Sequence, residues 1–227
     1  NIITVPIAKP IENTPKTPTP NFNADSAYNF IQKQVDFGYR IPNTPEHDSC
    51  AVWMKRKLTE YGFTLTIQTG KVKAWTGNML NIENIIAQHN PEATNRIMLC
   101  AHWDTRPYAD RGDGNKTKPI PGANDGGSGV GVLLEVARQI SLLDPKTGVD
   151  LLFFDAEDYG AMSTNDVISD LNSMSDSWCL GSQYWSKNPP IKNYKPRYGI
   201  LLDMVGAKDA TFPKEGLSQQ YAGAHVQ

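Results

Sequence analysis

The sequence predicts an α/β protein: a three-layer sandwich in which helices cover both faces of a central, mostly parallel mixed sheet. Two observations carry this prediction. The runs Ile97–Ala101, Val149–Phe154 and Gly199–Leu202 are strongly apolar and lack strict alternation, as expected of strands buried on both faces of a parallel sheet. Between the first two, Val130, Leu133, Leu134, Ala137 and Ile140 fall at helical spacing, with Val132 and Val136 widening the apolar face. A strand, a helix and a second strand joined by a right-handed crossover give parallel neighbours.

The remaining elements follow in order. Residues 1–20 hold five of the 16 prolines, mixed with Thr and Asn, which favours extended backbone and little burial. Residues 1–21 are expected to be a tether and residues 22–227 a single α/β domain, since about 150 residues is the usual domain prior. From Asp25 to Phe37, Ala27, Phe30, Ile31 and Val35 have helical spacing, and Gly38 is a stop. Thr44 can cap a second helix, with Pro45 in its first turn, Cys50, Met54, Leu58 and Tyr61 on one face and Gly62 at its end. Phe63, Leu65 and Ile67 alternate with polar residues as in a half-buried strand, and residues 79–87 read as its neighbour.

Composition excludes several functions. No apolar run approaches the 18 or more residues of a membrane span. Lys plus Arg is 22 and Asp plus Glu 24, a net charge of −2 without blocks of one sign, which argues against an electrostatic nucleic-acid binder. Cys50, Cys100 and Cys179 form no CxxC pair, so neither a disulfide scaffold nor a thiolate zinc site is supported. HExxH, P-loop and GxGxxG motifs are absent.

The apolar runs end in ionisable residues: the first in His102 and Asp104, the second in Asp155, Glu157 and Asp158, the third in Asp203. Asp125 adds to them from Gly-Ala-Asn-Asp-Gly-Gly-Ser-Gly at 122–129. Ligands of open α/β sheets bind beyond the carboxyl ends of the strands. Carboxylates gathered there repel one another unless a cation neutralises them, and carboxylates with imidazole suit zinc. Glu157 and Asp158 are adjacent, so an irregular loop can turn one toward a metal and the other toward substrate as proton carrier.

Plainer roles compete. Asp125 can be a helix N-cap, Asp104 and Asp155 loop braces, and His102 a hydrogen-bonded loop residue. Ser128 lacks the flanking pattern of a nucleophile elbow, since position 130 is valine. Trp178, Tyr184 and Trp185 suit either a pocket or a packed helix and receive no role. The Ser-, Asn- and Asp-rich stretch between Tyr159 and Trp178 is expected to be a loop less ordered than the sheet.

The segments AHWDT (101–105), PGANDGGSGVGVLLEVAR (121–138), VDLLFFDAED (149–158), WCLGSQYW (178–185) and LLDMVGAKDATFP (201–213) resemble the bacterial glutaminyl cyclases, relatives of the zinc aminopeptidases. The resemblance runs from about residue 22 to the end of the chain. It implies a zinc-exopeptidase-like fold and one zinc per chain bound by Asp125 and Asp158. Glu157 would be the general base and acid, and Asp203 would hydrogen-bond substrate or leaving group. In di-zinc aminopeptidases the positions of His102 and Asp203 would bind a second metal, whereas in the cyclases they support the site.

The family's third zinc ligand, a histidine, lies farther along than this sequence reaches, so the domain is expected to lack its C-terminal portion. His225 follows the Thr-Phe-Pro block too closely to replace it. The implied activity is conversion of N-terminal glutamine of peptides or proteins to pyroglutamate with release of ammonia. A di-zinc aminopeptidase and an inactive module that binds peptide N-termini are the alternatives. The tether and the resemblance together suggest a periplasmic or otherwise extracytoplasmic protein, with lipid anchoring through an upstream segment as one form.

Overall fold

The computed structural model describes residues 20–109, 117–161 and 176–212, together with positions 216 and 220. The chain divides into two units, residues 22–207 and residues 1–21 with 208–227. The expected tether, His225 and most of the loop between Tyr159 and Trp178 lie outside the described residues. In the smaller unit, residues 208–212 form turns and irregular backbone and are largely exposed.

The larger unit contains helices α1 (Ala24–Asp36), α2 (Pro45–Glu60), α3 (Gly127–Leu143) and α4 (Leu180–Lys187). Its strands are β1 (Thr64–Lys73), β2 (Met79–His89), β3 (Arg96–His102), β4 (Gly148–Phe154) and β5 (Gly199–Leu201). They form one sheet in the order β1-β2-β4-β3-β5. Strands β3, β4 and β5 are parallel, and β2 runs antiparallel to both its neighbours. The expected crossover is present: β3 and β4 pair in register from Arg96 with Gly148 to His102 with Phe154, and α3 connects them.

Local chemistry explains the helix starts. The Asn23 side chain accepts from the Ser26 N–H to cap α1, and Thr44 accepts from the His47 N–H to cap α2 just ahead of Pro45. On one face of the sheet, Ile85, Ala87, Ala101, Val149, Leu151 and Phe153 pack against Met54 and Leu58 of α2 and Val130, Leu133, Leu134 and Ala137 of α3. Each large side chain buried this way contributes roughly 1.5–3 kcal/mol. On the other face, Ile86, Cys100, Leu152 and Phe154 pack with Trp185 of α4. Helices on both faces make the predicted three layers.

One expectation fails. The run 199–202 reads as a strand covered on both faces, yet β5 is exposed throughout, with Ile200 48% and Leu201 65% accessible. Among the described residues it lies at the edge of the sheet, paired with β3 on one side. All three cysteines are free thiols, and among the described residues no helix is long and apolar enough to cross a membrane.

Candidate active site

The carboxyl ends of β3, β4 and β5 and the start of α3 meet at a crevice. A cavity of about 360 Å³ there is lined by Asp125, Glu157, Asp158 and Asp203, with Arg106, Tyr108, Ile120, Trp178 and Met204 among the other walls. All four residues expected to carry the chemistry therefore face one space.

The backbone places each acid. Asp125 lies in the turn before α3, whose N-cap is Gly126 and not Asp125. The N-cap reading is corrected because Gly126 itself makes the left-handed bend, φ 74°, and the helix has no side-chain cap. A Cβ on Gly126 would lie 2.8 Å from the Asp104 carbonyl oxygen and 3.0 Å from the His102 ring, so only glycine fits there. The Asp125 carboxylate is thus left free to meet other groups.

Glu157 and Asp158 lie just past β4, and their main chain is held from two sides. Fully buried Asp104 accepts from the Glu157 N–H at 3.0 Å with one carboxylate oxygen and from the Asp158 N–H at 3.1 Å with the other. The N–H groups of Cys179, Leu180 and Gly181 donate to the carbonyls of Glu157, Ala156 and Asp155. The first amides of α4, which a helix leaves unpaired, thereby staple the loop. Asp155 accepts from His47 Nε2 at 2.9 Å, the Ala156 N–H at 2.7 Å and the Glu83 N–H at 2.7 Å. Asp104 and Asp155 are loop braces, as their plainer reading holds.

His102 is a hub. Its Nδ1 is 3.3 Å from Asp104 Oδ1, and its Nε2 is 3.0 Å from Asp125 Oδ1 and 3.5 Å from Asp203 Oδ1. Burial works against the imidazolium, but these three carboxylates outweigh it and hold its pKa well above the ordinary value. In return, the hydrogen bond to His102 lowers the pKa of Asp203. Ligand atoms of His102, Asp125 and Asp203 lie within 4.8 Å of one another.

Asp158 is in the opposite condition. Burial first, then the charges of Asp125 and Asp104, push its pKa up to about 8 despite the nearby Arg106 cation. Its Oδ1 is 3.4 Å from Arg106 Nη1, while its buried Oδ2 has no hydrogen-bond partner among the described residues. A buried, partnerless carboxylate oxygen beside a second carboxylate is costly, and a divalent cation is the group that relieves both faults. Asp125 and Asp158 could hold a metal on this ground, and Asp125 also belongs to the His102–Asp203 set, whose ligand atoms lie together. The Glu157 pKa is also raised, chiefly by burial, with the His102 charge opposing.

Several site residues were not singled out from sequence. Buried Arg40 donates to the carbonyls of Trp103, Pro121 and Gly122, tying the residue after His102 to the turn before Asp125. Arg106 donates to the Asp158 carbonyl at 2.9 Å, and its guanidinium lies 4.5 Å from the centre of the Trp178 ring. Cys179 donates its S–H to Glu157 Oε1 at 3.2 Å. For Arg106 and Cys179 the available signal was their place beside or within the blocks at 101–105 and 178–185; Arg40 carries no such local signal. Of the three unassigned aromatics, Trp178 lines the cavity, and Trp185 packs on the sheet against Phe154.

The fold and the acid-rich crevice define the metallo-exopeptidase class of α/β proteins. The chain belongs to peptidase family M28, whose family model matches residues 84–225. Among solved structures it is similar to Tannerella forsythia glutaminyl cyclase, with 50% identity, coverage of 91% of this chain and 70% of that one, and a TM-score of 0.85. It is similar to a Zn-dependent exopeptidase from Parabacteroides distasonis at 48% identity, covering 89% of this chain and 68% of the other, with a TM-score of 0.84. A curated glutaminyl-peptide cyclotransferase from Boiga irregularis is 29% identical over 147 residues, 57% of this chain and 38% of that protein. The chain spans well under half the length of the curated relatives it matches first.

Proposed function

We propose that the protein is a zinc-dependent glutaminyl-peptide cyclotransferase that closes the N-terminal glutamine of peptides or proteins to pyroglutamate and releases ammonia. The observation that carries this reading is the buried Asp158 Oδ2, without a partner among the described residues, in one cavity with Asp125 and Glu157. The choice of glutamine as substrate is supported by relatives at about half identity that bear the cyclase name.

Asp125 and Asp158 would hold one zinc per chain. When bound, zinc supplies Lewis-acid polarisation of the glutamine side-chain carbonyl and stabilises negative charge on its oxygen. The nucleophile is the substrate's own α-amine, which attacks the side-chain amide carbon, forms the ring bond and expels the amide nitrogen. Glu157 takes a proton from the amine and returns it to the leaving nitrogen, so ammonia departs and the carboxylate is regenerated. A base whose pKa is raised toward neutrality serves both steps. Asp203, held ionised by His102, accepts a hydrogen bond from substrate or leaving group. Cys179 and Asp104 keep Glu157 aimed into the cavity.

The closeness of His102, Asp125 and Asp203 favours a second reading, a di-zinc aminopeptidase in which Asp125 would be shared between two ions, with His102 and Asp203 completing the second site. One experiment separates them: zinc per chain by mass spectrometry, paired with product analysis on a glutaminyl peptide. One zinc and released ammonia support the cyclase. Two zincs and free amino acids establish the aminopeptidase, and zinc uptake without turnover leaves the inactive binding module. The Pro- and Thr-rich residues 1–21 support a role outside the cytoplasm, with residues 22–227 as the catalytic domain.

A further inference from the structure

Asp203 follows the strand that is most exposed among the described residues. Strand β5 is three residues long and exposed, and Met204, directly after Asp203, has φ 51°. The Asp203 carboxylate has a long hydrogen bond to His102 at 3.5 Å and accepts from the N–H of its neighbour Met204, and neither contact ties the segment that follows it to the turn of Asp125. What grips this segment is the turn that carries Asp125. Asn124 Oδ1 accepts from the Gly206 N–H at 2.8 Å, and Ser128 Oγ accepts from the Val205 N–H at 2.9 Å. The same Ser128 hydroxyl donates to the Asn124 carbonyl, so it is used in both directions. Ser128 is 1% exposed. The two backbones come close because a Cβ on Gly129 would collide with the Leu202 carbonyl, and one on Gly206 would sit 2.9 Å from Ser128 Cβ.

We propose that Asn124 and Ser128 are positioning residues that hold Asp203 in register with Asp125 by tethering the Val205 and Gly206 amides. The sequence assigns Ser128 no role once a nucleophile elbow is excluded, and the structure gives its hydroxyl this one. The inference rests on the proposed part of Asp203 in glutamine cyclisation. Misplacement of a contacting group by about 1 Å can cost around a hundredfold in rate, so loss of a single tether is placed below that.

Ser128→Ala and Asn124→Ala are compared with the wild type in two assays. In amide hydrogen exchange of the metal-free protein, Val205 and Gly206 are expected to exchange ~10-fold faster while β3 and β4 keep their protection. In ammonia release from a glutaminyl peptide, kcat is expected to fall ~10-fold with KM within about twofold. In an Asp203→Asn background, adding Ser128→Ala should change kcat by less than about twofold, because the tether acts through a carboxylate already removed. A full tenfold loss in that background, or unchanged exchange in both variants, overturns the proposal. If Ser128→Ala fails to fold, half-buried Asn124→Ala carries the same readouts. A wild type without turnover defeats the proposed reaction alone, and the exchange assay still decides the tether.

Discussion

Buried acids stand near both ends of β4, and the protein treats them in opposite ways. Near its start, Asp150 is fully buried and every lone pair is used: Arg96 donates to both oxygens at 2.6 and 2.7 Å, Gln88 to one and Tyr194 to the other. Four residues beyond its end, Asp158 is 5% exposed, has a carboxylate oxygen without a partner among the described residues, and lines a cavity with Asp125. Burial is the same in kind, and satisfaction differs. The first cluster is finished as it stands, and such a network rigidifies its surroundings. The second is unfinished in a way that an external positive charge completes. On the proposed function, the difference separates a structural end of the strand from a chemical one, where burial by itself marks neither.

The comparison can be broken from either end. The largest effect is expected at the chemical end: Glu157→Gln should lower ammonia release from a glutaminyl peptide by ~10²–10⁴-fold, the usual contribution of a general acid–base, with an unchanged thermal midpoint. At the structural end, Asp150→Asn strands the Arg96 charge and should destabilise the fold by roughly 3–5 kcal/mol, read from the denaturation midpoint, while kcat of the folded fraction stays at the wild-type value.

Asp158→Asn should do the reverse. It should abolish tight zinc binding, measured by metal analysis, without destabilising the metal-free protein at neutral pH. The pH dependence sharpens this point. A carboxyl whose folded pKa is raised to about 8 from an unfolded value near 4 keeps its proton in the folded state over a window where the unfolded chain has lost it. The metal-free wild type should therefore lose stability as pH rises from about 4 to about 8, on the sign that linkage requires. Denaturant titrations at several pH values should show that slope flattened in Asp158→Asn. The smallest effect is expected for Cys179→Ala, about a two- to tenfold loss of kcat for one removed hydrogen bond, restored by Cys179→Ser.

Much of this was readable from the chain alone. The apolar faces of α2 and α3, the Thr44 and Pro45 start of α2, and the strongly apolar runs within β3 and β4 follow from local periodicity and capping, which act within a few residues. So does the placing of Asp125, Glu157, Asp158 and Asp203 near one another, because parallel strands bring their carboxyl ends to one edge. The buried Asp150 inside an apolar run was passed over, since its partners Arg96, Gln88 and Tyr194 are 44 to 62 residues away.

Only the tertiary structure decided the rest: that β5 lies exposed at an edge, that Gly126 and not Asp125 heads α3, and that Arg40, Arg106 and Cys179 brace the crevice. It also decided which acid is satisfied and which is not. The residue types and their periodicity are properties of neighbouring positions. Burial, hydrogen-bond satisfaction and charge repulsion belong to groups brought together from distant segments, and they take definite values only when the chain has closed around them.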